Sequence, residues 1–150
     1  MNQVEVFTEI DAPPEAVWEV LLEFDSYPEW NPLVQAIDGV TARDDHFEAT
    51  IESPDSRRTP FEPTVIAVEE NRRLAWMDRL LVPFAFDGYH EFHLEPLEDG
   101  RRTRLLHRET FRGALVPILF DRTRVERSFE VMNDAIKDRA ERRASVSSLP

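Results

Sequence analysis

The chain has 150 residues, no cysteine, and a net charge of −12 from 30 acidic and 18 basic side chains, of which only Lys137 is lysine. One domain of this length buries roughly 70% of its unfolded surface, and without cysteine it has no disulfide, thiolate metal site or cysteine nucleophile. The acidity argues against a phosphate-backbone binder, which needs a basic stripe, and no apolar run approaches the ~20 residues that span a bilayer.

No basic-then-apolar leader is visible either, so the expected location is the cytoplasm, with no stable membrane insertion and no nucleic acid partner. The acid-rich, lysine-poor balance suggests a halophile's cytoplasm, where dense carboxylates stay hydrated at high salt. A high-GC genome, which favours arginine codons, gives the same bias.

In chain order, Val4, Val6, Thr8 and Ile10 alternate with Gln3, Glu5, Phe7 and Glu9, the two-residue period of a strand. Asp11, Pro13, Pro14 and Glu15 then open a helix, with Asp11 as capping candidate. Val17, Val20, Leu21 and Phe24 form its core stripe, and it ends near Asp25 or Ser26. Ser26 to Leu33, bounded by Pro28 and Pro32, predicts a short second helical turn that carries Tyr27 and Trp30. Strands are expected over Val34 to Val40 and His46 to Glu52. Ser53 to Pro60 reads as an exposed loop or hairpin connection, and Phe61 to Val68 as a strand in which Pro63 marks an edge, a strand start or a bulge. Leu74, Trp76 and Asp78 alternate in the next.

Phe84 to Phe111 predicts a hairpin that turns at Glu98, Asp99 and Gly100. On its first arm Phe84, Phe86, Gly88, His90, Phe92 and Leu94 share one face. On its second arm Leu105, His107, Glu109 and Phe111 share a face, while Arg102, Arg104, Arg108 and Arg112 take the other. Two histidines and a carboxylate thus point inward among aromatic rings, whereas His93 and His46 point outward. Pro117 is expected to start a helix that runs to about Arg143, with Val125, Phe129, Met132 and Ile136 as its apolar stripe. Residues 1–143 read as a single domain and 144–150 as a flexible tail. The order strand, helix, short helix, six strands, long helix belongs to the α+β class.

Several of these stretches resemble the START-like (SRPBCC) superfamily, and within it the polyketide cyclase/dehydrase-like members. They are Ile10-x-Ala12-Pro13-x-Glu15-x-Val17-Trp18, Phe24-x-x-Tyr27-Pro28-x-Trp30-Asn31-Pro32, Leu74-x-Trp76, Phe86-Asp87-Gly88-x-His90-x-Phe92 and His107-x-Glu109-x-Phe111-x-Gly113. The resemblance implies a helix-grip fold: a seven-stranded antiparallel sheet curved around the long C-terminal helix, two short helices after strand 1, and an apolar cavity between sheet and helix. The superfamily includes carriers, cyclases, hydrolases and chaperone activators, so the fold alone assigns no activity.

The cavity implied by that fold would be lined by Trp30, Trp76, Phe84, Phe86, Phe92, Phe111, Phe129 and Met132, with His90, His107 and Glu109 as its polar features. Ordinary core packing and a satisfied internal network are the alternatives. The functional expectation is a carrier or sensor of an apolar small molecule such as a lipid, isoprenoid or polyketide-like ring, as a monomer or homodimer. An enzyme of the cyclase or dehydratase type is the competing class, with His90 or His107 as base and Glu109 as acid or orienting group. A protein-interaction role would show as exposed apolar surface on the terminal helix, and little is visible. No cofactor is expected. Two histidines and a carboxylate match a metal-ligand set in type but not in spacing, so no metal is expected.

Overall fold

The computed structural model describes residues 2–23, 34–38, 48–52, 58–61, 64–80 and 84–147. Its strands are β1 (Asn2–Ile10), β2 (Val34–Asp38), β3 (Glu48–Glu52), β4 (Arg58–Phe61), β5 (Thr64–Glu69), β6 (Arg73–Leu80), β7 (Phe86–Leu97) and β8 (Arg102–Arg112). Helix α1 (Pro14–Leu22) follows β1. A one-turn helix (Val116–Leu119) and the terminal helix (Arg122–Ser147) follow β8.

The architecture is α+β, with an antiparallel sheet and a long C-terminal helix. The expectation of one seven-stranded sheet needs correction. β1-β8-β7-β6-β5 form a five-stranded sheet, and β2-β3-β4 a separate three-stranded one. Pro60 stands inside β4, opposite Thr50 of β3. Part of the expected loop Ser53 to Pro60 is therefore strand, since Arg58–Phe61 pairs with β3. The expected short helix over Ser26 to Leu33 lies outside the described residues.

Two helix starts also differ from expectation. Asp11 does not cap α1, whose N-cap is Pro13; the Asp11 N–H donates to Glu141 Oε2 at 2.8 Å instead. The long helix begins at Arg122 rather than at Pro117. Pro117 lies in the one-turn helix, Phe120 leaves helical conformation at ψ 125°, and Asp121 then acts as a fresh N-cap. Its Oδ1 accepts from Arg124 N at 3.2 Å and its carbonyl from Val125 N at 3.1 Å, the bonding that favours aspartate there. The helix continues to Ser147, past the expected end near Arg143.

The terminal helix lies along β1 and β8 and packs on α1. Polar ties pin it over its length: Arg122 Nη1 donates to Gln3 O at 2.7 Å, Lys137 Nζ to Glu9 O at 3.0 Å, and Arg143 Nη1 to Glu23 Oε1 at 2.6 Å. The main core, including Ile10, Val17, Leu21, Leu74, Phe92, Leu105 and Ile136, fills the space between sheet, α1 and this helix.

Candidate functional site

The strand register assembles the site. Because partners across an antiparallel ladder share a face, the pairings Val4↔Glu109, Glu109↔His90, His90↔Trp76 and Trp76↔Val65 make one row across the sheet. The next row is Val6↔His107, His107↔Phe92, Phe92↔Leu74 and Leu74↔Val68. Adjacent rows bring His90 and His107 diagonally together. The terminal helix then lays Phe129 on the His107 ring, with centroids 3.8 Å apart, and Trp76 stacks on His90 at 4.6 Å. Phe92 lies 4.3 Å from His107 by the same measure.

Within this aromatic frame runs a chain of polar contacts. Glu109 Oε1 is 3.2 Å from His90 Nδ1, His90 Nε2 is 2.5 Å from His107 Nε2, and His107 Nδ1 is 2.8 Å from Asn133 Oδ1. Asn133 Nδ2 donates to Thr8 Oγ1 at 3.1 Å and to Val6 O at 3.4 Å. The chain thus passes from β8 to β7, back to β8, on to the terminal helix and ends on β1. Burial pushes His90 down to about 3. Burial, then the neighbouring His90, holds His107 well below its ordinary 6.5, against the opposing Asn133 hydrogen bond. Both rings are therefore neutral at physiological pH.

Among the described residues, no group of three or more His, Cys, Asp or Glu side chains is arranged to hold a metal ion. The two Nε2 atoms face one another, and each Nδ1 is turned to a further protein group.

The sequence-derived candidates divide as follows. Trp76, His90, Phe92, His107, Glu109, Phe129 and Met132 are buried on the inner face. Phe111 is buried beside them, in a smaller cluster with Val4, Val116 and Phe129. Phe84 is not brought to this site. It sits in a turn at φ 69° ahead of β7 and is 77% exposed, where it lines a hollow of about 700 Å³ on the opposite face with Met77, Tyr89 and Glu91. Phe86 opens β7 opposite Leu80, and Trp30 lies outside the described residues. Asn133 and Thr8 were not singled out from the sequence. Asn133 stands four residues after Phe129 and three before Ile136, so its signal was one amide inside an apolar helical stripe.

The opposite face is built differently. Glu91 is buried there, accepting from Arg108 Nε at 2.9 Å and Arg73 Nη2 at 3.3 Å and meeting His93 Nε2 at 3.0 Å. Arg73 also bonds the Tyr89 hydroxyl.

The family described as "Polyketide cyclase / dehydrase and lipid transport" matches residues 1–141. Among solved structures, the chain is similar to the ZhuI aromatase/cyclase of Streptomyces sp. R1128, at 19% identity and TM-score 0.78, covering 98% of each chain. It is also similar to a START superfamily protein of Mycobacterium smegmatis, at 18% identity and TM-score 0.70, covering 97% of this chain and 99% of that one. A third is protein MLL2253 of Mesorhizobium loti, at 21% identity and TM-score 0.73, covering 94% and 98%. At these identities the likeness shows the fold alone. No curated protein matches the chain.

Proposed function

The chain belongs to the polyketide cyclase / dehydrase and lipid transport family, and from that premise we propose that it binds an apolar small molecule, a lipid, isoprenoid or polyketide-like ring, between the sheet and the terminal helix. One observation carries this reading: the Glu109–His90 pair is set between aromatic rings on the inner face. A core that needed only packing would more readily place apolar side chains there, since even a paired buried polar network adds little stability over well-packed apolar groups.

The remaining accessibility supports it. Trp76, His90, Glu109, Phe111, Phe129 and Met132 each keep 5–8% exposure, whereas His107, Phe92 and Leu74 in the next row keep none. The polar chain therefore has a sealed end at Asn133 and an open end at Glu109, among apolar walls of the kind that bind small molecules.

Binding fits the site better than turnover. A general base needs a lone pair within reach of the substrate, and the ring nitrogens of His90 and His107 are directed at one another, Asn133 and Glu109. One observation favours the cyclase or dehydratase reading: the His90–Glu109 pair lies at the open end.

Isothermal titration with 2-naphthol and with farnesol tests the proposal. We expect saturable one-to-one binding with a negative heat-capacity change, the marker of buried apolar surface. No saturable heat with either compound overturns it.

A further inference from the structure

Two connections stand out against the composition of the chain. Residues 80–86 (LLVPFAF) and 113–120 (GALVPILF) are its two longest runs without a polar side chain, and no other run exceeds four residues. The first joins β6 to β7 and the second joins β8 to the terminal helix, places where a fold ordinarily puts polar residues. The two runs meet in space. Ala114 N donates to Phe84 O at 3.1 Å and Leu115 N to Ala85 O at 2.8 Å, and Gly113 passes close against the Ala85 backbone. Val116 anchors them from beneath, buried with Phe111 and Phe129. Phe84 and Ile118 are 77% and 76% exposed, and Ala114 and Pro117 are exposed with them. The result is an apolar tip shown to water. Its backbone is already satisfied from within: the N–H groups of Phe84, Ala114, Leu115, Val116, Ile118 and Phe120 all have acceptors in the tip or in Asp87. Pro117 has no N–H to satisfy. A segment that leaves water for lipid needs that self-sufficiency.

The charge around the tip is also unlike the rest of the molecule. Residues 112–127 carry Arg112, Arg122, Arg124 and Arg127 against Asp121 and Glu126, the reverse of the 18 basic to 30 acidic side chains of the whole chain. All four arginines are exposed. An apolar tip with arginines behind it matches an anionic lipid surface, with apolar side chains at the boundary of headgroups and acyl chains and guanidinium groups at the phosphates. A second copy of the chain is a poorer match, because a two-fold contact through the tip brings the same arginines face to face. We propose that this tip docks the protein reversibly on anionic bilayers, burying Phe84 and Ile118 at headgroup depth without spanning the membrane. The proposal goes beyond the binding reading and stands on the tip alone. Where both hold, docking brings the ligand site to the bilayer, since Val116 of the tip shares a cluster with Phe111 and Phe129.

Co-flotation with phosphatidylcholine vesicles containing about 30% phosphatidylglycerol tests this, with 2-naphthol titration of each protein in parallel. The parent is expected to float with these vesicles and to be released as salt is raised. Phe84→Ser and Ile118→Ser should each weaken vesicle binding about tenfold. Arg112→Gln and Arg127→Gln should each weaken it about fivefold. All four variants should keep the parent's response to 2-naphthol, since these side chains lie outside the inner-face site. A parent that floats with no vesicle, equal flotation with phosphatidylcholine alone, or Ser variants that float like the parent overturns the proposal. So does self-association of the parent that the Ser substitutions relieve, without flotation, which assigns the tip to a second copy. A parent that floats but binds neither 2-naphthol nor farnesol overturns the binding reading and leaves the docking intact.

Discussion

His107 lies face to face with Phe129, the two ring planes 8° from parallel and the centroids 3.8 Å apart. This contact joins β8 to the terminal helix at the point where the polar chain crosses between them. Asn133, one helical turn further on, accepts from the same imidazole, so helix and sheet are fixed to each other through one side chain.

That double attachment predicts non-additive stability effects. His107→Ala removes a fully buried ring and leaves Asn133 without its donor and His90 without its acceptor, at a cost of about 3–5 kcal/mol. Asn133→Ala should cost about 2 kcal/mol. The double variant should lose about 1–2 kcal/mol less than the two together, because the second substitution removes a contact already broken. Urea unfolding of the four proteins checks this; additive losses would show that the two residues act separately.

Acid should destabilise the fold before the carboxylates titrate. The folded values of His90 and His107 lie below the unfolded 6.5, so the unfolded chain takes up protons first as the pH falls. Their contribution is fully present above about pH 6.5 and is lost on the way towards pH 3. Near pH 5 the unfolded chain carries a proton on each of these histidines that the folded chain lacks. The expected slope there is about 1.4 kcal/mol per pH unit for each of the two. Glu23, Glu91 and Glu141 have folded values below 4.5. Their contribution is present above that value and is lost as the pH falls through their folded ones, a lower window. Denaturant midpoints at pH 6.5, 5.5 and 5 should fall for the parent and fall about half as steeply for His107→Gln, in which His90 still titrates.

Gly113 should not accept a side chain. Its φ is +133°, and an added Cβ would stand 2.4 Å from Ala85 O and 2.6 Å from Ala85 C, both backbone atoms. Gly113→Ala is expected to cost about 3 kcal/mol. It should also loosen the turn in which Ala114 N donates to Phe84 O at 3.1 Å and Leu115 N to Ala85 O at 2.8 Å. Faster amide exchange at Ala114 and Leu115 is the local readout.

The outer face supplies a contrast. Although burial opposes it, hydrogen bonds from Arg108 and His93 hold the Glu91 carboxyl below its ordinary range. Glu91→Ala leaves two arginines without their shared partner, a loss of about 1–3 kcal/mol. Binding of 2-naphthol by the folded variant should be unchanged, since Glu91 faces away from His90 across the sheet. A parallel loss of affinity would place the ligand on the wrong side in our account.

The hairpin was legible because β7 and β8 alternate strictly and Glu98, Asp99 and Gly100 mark the turn between them; all three have positive φ. Register then follows from turn position, which is why His90, His107 and Glu109 were read as sharing one face. The break at Phe120 was hidden: the apolar stripe is continuous through it, and only the capping bonds of Asp121 show that a new helix starts. The division into two sheets was hidden too, because it depends on which strands pair. Asn133 was overlooked for a different reason. Its type and position were in plain view, but its role depends on Val6 and Thr8, more than 120 residues away in the chain.

The central claim, that an apolar molecule binds between sheet and helix, is tested most directly by nuclear magnetic resonance. The protein would be 15N-labelled and titrated with 2-naphthol. The account predicts that the Trp76 indole signal and the amides of His90 and Phe129 shift and saturate at one equivalent, while those of Phe7, Phe84 and Arg104 on the opposite face stay in place. Shifts confined to the opposite face, or no saturable shift at Trp76, would contradict it.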